Sequence, residues 1–179
     1  MQYKNDKGES YELEEMFPES QIMEAVERLA KEIENRYETA HIVGLLKGSF
    51  MFVADLIRII DIPVTVDFMA VSSYIGTESS GEIKILKELN EPIFDRNVII
   101  VEDIVDTGLT LYETLELLHT RDPKRLEVCT LLDKHERREK DIEIGYTGIS
   151  IPDEFIVGYG IDYEQRHREL RGIHKVAFI

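Results

Sequence analysis

Apolar residues recur along the chain with two different periods, and the way those periods alternate predicts the fold class. Over residues 20–37, Ile22, Val26, Leu29, Ile33 and Tyr37 return at steps of three and four with Glu and Lys filling the other face, the pattern of an amphipathic helix. Residues 41–46 (HIVGLL) are a short unbroken apolar run, as expected of a strand covered on both faces. Gly48 and Ser49 close that run, residues 50–60 predict a second helix, and Pro63 stands beyond its end. Residues 64–73 are apolar and β-branched and predict a strand, whereas 74–81 (YIGTESSG) have no period and read as a mobile loop. Strand patterns return at 83–86, at 97–101 (NVIIV), at 126–132, and more weakly at 155–159 and 175–179. Between them, residues 110–120 predict a helix with Leu111, Leu115 and Leu118 on one side. Strands that alternate with helices predict an α/β domain with a mostly parallel sheet. No repeat, low-complexity stretch or long linker interrupts the pattern, so residues 1–179 are read as one domain.

Composition narrows the function classes. Hydrophobic residues make up 43% of the 179 and charged residues 32%, a soluble globular balance. The net charge of −15 argues against broad nucleic-acid binding, because a phosphate backbone needs a basic footprint. No apolar run approaches the length of a membrane span, and the first residues, MQYKNDKGES, lack a signal-peptide core. The single cysteine, Cys129, lies in the apolar run 128–132 and reads as a small core residue. One cysteine allows no intrachain disulfide, which suits a reducing cytoplasm.

The candidate chemistry concentrates at residues 101–110 (VEDIVDTGLT). A buried strand is predicted to run out at Val101, Glu102 and Asp103 follow, and Asp106, Thr107, Gly108, Leu109 and Thr110 lead into a helix. In α/β sheets ligands bind at the carboxyl ends of strands, and a helix N-terminus offers free N–H groups and the positive end of its dipole to a phosphate. The acids would repel a bare phosphate; they fit a ligand that also carries sugar hydroxyls or a metal. The plainer reading is that Asp106 or Thr110 caps the helix and the remaining acids are solvated. There is no G-x-x-x-x-G-K-[ST] phosphate loop, and Tyr163 breaks the dinucleotide fingerprint begun by Gly158 and Gly160.

Residues 101–110 resemble the phosphoribosyl-diphosphate-binding motif of type I phosphoribosyltransferases. The chain as a whole, from about Ile42 to Arg168, resembles hypoxanthine-guanine phosphoribosyltransferases. LLKGS at 45–49, SSY at 72–74, LLDK at 131–134 and PDEFIVGYGIDY at 152–163 follow in that family's order. The resemblance implies a mostly parallel central sheet flanked by helices, with a small hood built from the chain ends. It also implies transfer of a 5-phosphoribosyl group from phosphoribosyl diphosphate to a 6-oxopurine, hypoxanthine or guanine, with release of pyrophosphate.

Residue roles follow from the same resemblance. Asp106 is the candidate general acid or base near the purine N7, with loop orientation as its rival role. Glu102 and Asp103 face the ribose hydroxyls, directly or through Mg²⁺, and Asp106, Thr107, Gly108, Leu109 and Thr110 cradle the 5′-phosphate. Lys47, Gly48 and Arg168 face the pyrophosphate, and the peptide before Lys47 is often cis. Arg166 and Arg171 leave the register of Arg168 open. Lys134 donates to the 6-oxo group, Phe155 stacks on the ring, Ile161 packs against it, and the backbone of Val157 meets its edge. Asp162 is a metal carboxylate, and Ser73 and Tyr74 begin a flexible flap. Taken singly, Lys47 reads as a solvated lysine, Phe155 and Ile161 as core, and Asp162 as a surface acid. A homodimer or homotetramer in the cytoplasm is expected, with no nucleic acid or membrane as partner. A regulatory protein that keeps the fold without catalysis is the competing class. Asp106, Lys134, Phe155 and Asp162 together favour the enzyme, and the acidic balance disfavours RNA.

Overall fold

The computed structural model describes residues 2–73 and 83–179. Its elements in chain order are β1 (Gln2–Lys4), β2 (Ser10–Phe17), α1 (Glu19–Glu34), β3 (Ala40–Leu46), α2 (Phe50–Ile59), β4 (Val64–Ser73), β5 (Ile83–Lys87), β6 (Asn97–Val105), α3 (Leu109–His119), β7 (Arg125–Asp133), a 3-10 turn (His135–Arg137), β8 (Tyr146–Ser150), β9 (Ile156–Val157) and β10 (Ile173–Phe178). The central sheet has the order β5-β4-β3-β6-β7-β8, with β5 antiparallel at one edge and the other pairings parallel. The second sheet, β1-β2-β10-β9, is antiparallel and joins the two chain ends, which makes it the expected hood.

The helical period is met by burial. Ile22, Ala25, Val26, Leu29, Ala30 and Ile33 of α1 are all buried, and with Phe52, Val53 and Leu56 of α2 they cover one face of the sheet. Leu111 and Leu118 of α3 pack with Val43, Met69 and Ile100 on the other face. The helix predicted to reach Tyr37 stops at Glu34; the amides of Arg36 and Tyr37 still bond the Ile33 carbonyl, so Tyr37 stays buried in the turn beyond. Cys129 is buried in the core, as its apolar neighbours predict.

Three differences matter. First, β6 does not end at Val101: its pairing with β7 continues through Glu102↔Thr130, Ile104↔Leu132 and Val105↔Asp133. Glu102 and Asp103 are therefore strand residues, held by ladder hydrogen bonds instead of loop geometry. Second, the strand predicted at 155–159 is confined to Ile156–Val157, because the chain turns through left-handed backbone at Gly158 (φ 107) and Tyr159 (φ 48). Third, β1, β2 and β8 had no clear period in the sequence. Glutamates interrupt the alternation in β2 (SYELEEMF), and Gly148 within β8 lies so close to β7 that a Cβ there would meet the Leu131 carbonyl oxygen at 2.4 Å.

The topology locates a site. The chain leaves β3 through α2 for β4 on one side, and leaves β6 through α3 for β7 on the other. Strand order therefore reverses between β3 and β6, and a crevice outside their carboxyl ends is where an α/β sheet takes its ligand. The hood leans toward this end. Ile156, Tyr159 and Ile173 join the core cluster of α1 and α2, and the Tyr159 hydroxyl donates to Asp55 Oδ2 at 2.6 Å.

Candidate active site

Between β6 and α3 the chain turns on Gly108, the N-cap residue of α3, whose φ of 80 is a conformation glycine adopts without steric cost. No side chain caps α3, so the plain capping reading of Asp106 or Thr110 does not hold. The Gly108 carbonyl accepts from Tyr112 N–H at 2.8 Å, while Thr107 Oγ1 accepts a long bond of 3.4 Å from Leu109 N–H. Among the described residues no acceptor meets the N–H groups of Thr107, Gly108 or Thr110. These amides surround a cavity of about 150 Å³ lined by Glu102 and residues 104–111. Free amides around a small cavity at a helix start form a site for an anion. Leu109 contributes backbone only; its side chain is exposed. A larger cavity, about 390 Å³ beside His41, Arg96 and Lys124, lies at the opposite end of the strands.

The loop after β3 closes the crevice. The Leu46–Lys47 peptide bond is cis, and Gly48 lies so close to β6 that a Cβ there would fall 1.6 Å from Asp103 Oδ2. The hood presses on the same loop, since a Cβ on Gly160 would meet the Gly48 carbonyl oxygen at 2.1 Å. Arg168 Nη1 donates to the Gly160 carbonyl at 2.7 Å, and its Nη2 pairs with Asp162 Oδ1 at 2.6 Å. Lys47 Nζ reaches Gln165 Oε1 at 3.2 Å. Lys47, Gly48, Asp103, Asp162 and Arg168 are thus brought together from distant parts of the chain. Of the three candidate arginines, Arg168 is the one at this crevice: Arg166 pairs with Asp6 and Arg171 with Glu19.

Burial, followed by the charge of neighbouring Asp103, pushes Glu102 well above the usual carboxylate range. Burial likewise raises Asp103 to about 6, against the backbone N–H of Ile104 and the charge of Arg168, which favour its ionised form. Two desolvated carboxylates side by side want a cation or a ring of hydroxyl donors. Among the described residues no group of three metal-ligating side chains forms.

On the other side of Asp106 lies Lys134, at the end of β7. Its backbone N–H bonds the Val105 carbonyl at 3.0 Å. Its side chain is only 7% exposed, and its Nζ lies 3.6 Å from Asp153 Oδ1 and 3.8 Å from Asp106 Oδ2. Asp106 Oδ1 is buried without a hydrogen bond; Arg137 Nε stands 3.1 Å away as an ion pair but out of hydrogen-bonding alignment. Phe155 is 44% exposed, with Tyr163 edge-on at 5.1 Å and Phe178 parallel at 6.3 Å. Ile161 is half-buried against the core, and the Val157 side chain is buried inside the hood with Tyr11 and Val176, which leaves only its backbone for a ligand. Ser73 is the last residue of β4; Tyr74 and the loop after it lie outside the described residues.

The sequence reading did not single out Asp133, Arg137, Arg138, Asp153 or Gln165. The signal for the first three was present as D-K-H-E-R-R at the end of an apolar strand, an acid and two arginines around the one lysine chosen.

Residues 13–164 match the family model described as the phosphoribosyl transferase domain. The chain belongs to the phosphoribosyl transferase family. Its sequence and fold group it with the hypoxanthine and hypoxanthine-guanine phosphoribosyltransferases, transferases of purine salvage. It is 49% identical to hypoxanthine phosphoribosyltransferase of Salmonella typhimurium, over 93% of this chain and 97% of that one. A crystal structure of a hypoxanthine-guanine phosphoribosyltransferase from Bacillus anthracis, with HEPES in its active site, superposes with a TM-score of 0.89 at 46% identity, covering 93% of this chain and 100% of that one. Hypoxanthine phosphoribosyltransferase from Trypanosoma cruzi, in complex with its product IMP, gives a TM-score of 0.84 at 38% identity, covering 90% and 92%.

Proposed function

We propose that the chain moves the 5-phosphoribosyl group of phosphoribosyl diphosphate onto a ring nitrogen of hypoxanthine or guanine, giving IMP or GMP and pyrophosphate. A C–N bond forms at C1′ as the C–O bond to pyrophosphate breaks. The observation that carries the reading is the pairing of Lys134 Nζ with Asp106 Oδ2 at 3.8 Å, directly beside the ring of free amides. The amides of residues 107–110, with the hydroxyls of Thr107 and Thr110, hold the 5′-phosphate. Asp106 exchanges a proton with the purine N7, a role worth roughly 10² to 10⁴ in rate. Lys134 donates to the 6-oxo group and rejects a 6-amino group, which offers it no acceptor. Phe155 stacks on the base, Ile161 packs beside it, and the Val157 backbone meets its edge. Lys47, the Gly48 amide and Arg168 face the departing pyrophosphate.

The residues present fit Mg²⁺. Such an ion is commonly held by one or two carboxylates and by substrate oxygens, so the absence of an all-protein cage among the described residues is no obstacle. Glu102 and Asp103 would supply the carboxylates, and Asp162, which pairs with Arg168, would offer another. When bound, the ion neutralises charge on the leaving group.

Competition among hypoxanthine, guanine, xanthine and adenine, in the wild type and in Lys134→Ala, tests the assignment. Turnover of the 6-oxopurines over adenine is expected in the wild type. In Lys134→Ala that preference should shrink at nearly constant KM for phosphoribosyl diphosphate. Equal loss of both substrates would remove Lys134 from base recognition.

A further inference from the structure

An anion cradle needs its amide hydrogens facing the ligand and its carbonyl oxygens held away, because a carbonyl oxygen repels a phosphate. In this chain the carbonyls at the cradle are held by residues 138–140. Arg138 Nε donates to the Asp106 carbonyl at 3.3 Å, and the amides of Glu139 and Lys140 reach the Thr107 carbonyl at 2.9 and 3.4 Å. Arg138 is itself fixed by an ion pair of its Nη2 with Asp133, both side chains being about nine-tenths buried. Its aliphatic stem also packs on the turn: a Cβ on Gly108 would meet Arg138 Cδ at 3.1 Å and Ile142 Cδ1 at 2.8 Å. Asp133 is the last residue of β7, directly before Lys134, and pairs in register with Val105.

We propose that Arg138, anchored by Asp133, is a positioning residue for the phosphate cradle. It ties the Asp106 carbonyl back and leaves the neighbouring amides facing the cavity. It touches no substrate. The inference rests on reading residues 106–110 as the 5′-phosphate site. The guanidinium is needed for its shape: one end of its fork meets the carboxylate while Nε meets the carbonyl, and a lysine ammonium is a single point that serves one of them.

The test compares wild type, Arg138→Gln, Arg138→Lys, Asp133→Asn and, as a control on the cradle itself, Thr110→Val. Each brace variant loses or weakens a hydrogen bond involving a charged group, so KM for phosphoribosyl diphosphate should rise about tenfold. KM for hypoxanthine should stay nearly constant. Arg138→Lys should recover the melting temperature lost in Arg138→Gln, because it still pairs with Asp133, yet leave the raised KM for phosphoribosyl diphosphate in place. A purely structural arginine would instead have both quantities restored together by lysine, and that result overturns the proposal. If Arg138→Gln does not fold, Arg138→Lys alone decides by the same criterion. If Thr110→Val raises KM for phosphoribosyl diphosphate while no brace variant does, the brace fails and the cradle stands. If Thr110→Val also has no effect, the cradle reading falls and the proposal with it.

Discussion

Acids at two places in the central sheet, Asp67 buried and Glu102 and Asp103 half-buried, are treated in opposite ways. Asp67, in β4, is 3% exposed and fully served: it accepts from the amides of Phe68, Asn90 and Glu91 and from the Asn90 side chain, and Lys87 Nζ lies 3.5 Å away. Burial alone would raise its pKa, but those backbone donors and Lys87 outweigh it and hold Asp67 below the usual carboxylate range. Glu102 and Asp103, at the end of β6, are pushed the other way by burial, and Glu102 further by the charge of Asp103. Near them, Asp106 keeps a buried oxygen with no hydrogen bond. An acid whose needs are met by its own chain locks a turn. An acid left unmet holds its interactions in reserve for a ligand, at a cost in stability.

The contrast breaks most sharply at Asp106. Asp106→Asn should lower kcat by about 10² to 10⁴, the range of a lost proton-transfer group, with little change in KM for phosphoribosyl diphosphate. Steady-state kinetics within a few-fold of wild type would make Asp106 another structural acid. Next comes Glu102→Gln. Replacing a carboxyl whose ionised form burial disfavours should stabilise the ligand-free protein by about 1 kcal/mol in denaturant unfolding, while weakening phosphoribosyl diphosphate binding roughly tenfold. A destabilised Glu102→Gln would erase the difference between the two regions. Asp67→Asn should do the reverse, costing about 2 kcal/mol of unfolding free energy through its lost amide bonds while turnover is unchanged.

The smallest effect is in pH. Asp67 has a folded-state pKa below its ordinary value, so its contribution is fully present above that value and is lost as the pH falls through it toward the folded pKa. The stability gap between wild type and Asp67→Asn should therefore close on acidification below about pH 4. A gap that widened there would reverse the sign assigned to Asp67.

Much of the fold was readable from period alone. α1 showed a clean apolar stripe, β3 and the first half of β6 were unbroken apolar runs, and both became buried elements. The second half of β6 was hidden because Glu102 and Asp103 look like loop residues; pairing with β7 keeps them in the strand. The hood was expected from the family resemblance and not from period, because β2 and β10 are far apart in sequence and their pairing, Tyr11↔Phe178 among others, leaves no local trace. At the site, Asp106, Gly108 and Lys134 could be chosen by motif. Arg138 and Asp133 could not, because their importance lies in which carbonyl and which carboxylate they meet, and that is decided by the fold of residues 134–142 over the cradle.

The central claim is that the crevice between β3 and β6 joins a sugar phosphate to a 6-oxopurine. The direct measurement is product formation by the purified protein given hypoxanthine, phosphoribosyl diphosphate and Mg²⁺. Equal amounts of IMP and pyrophosphate, lost when the metal is chelated and restored by excess Mg²⁺, are predicted. No nucleotide product from hypoxanthine, guanine or xanthine under those conditions would contradict the account.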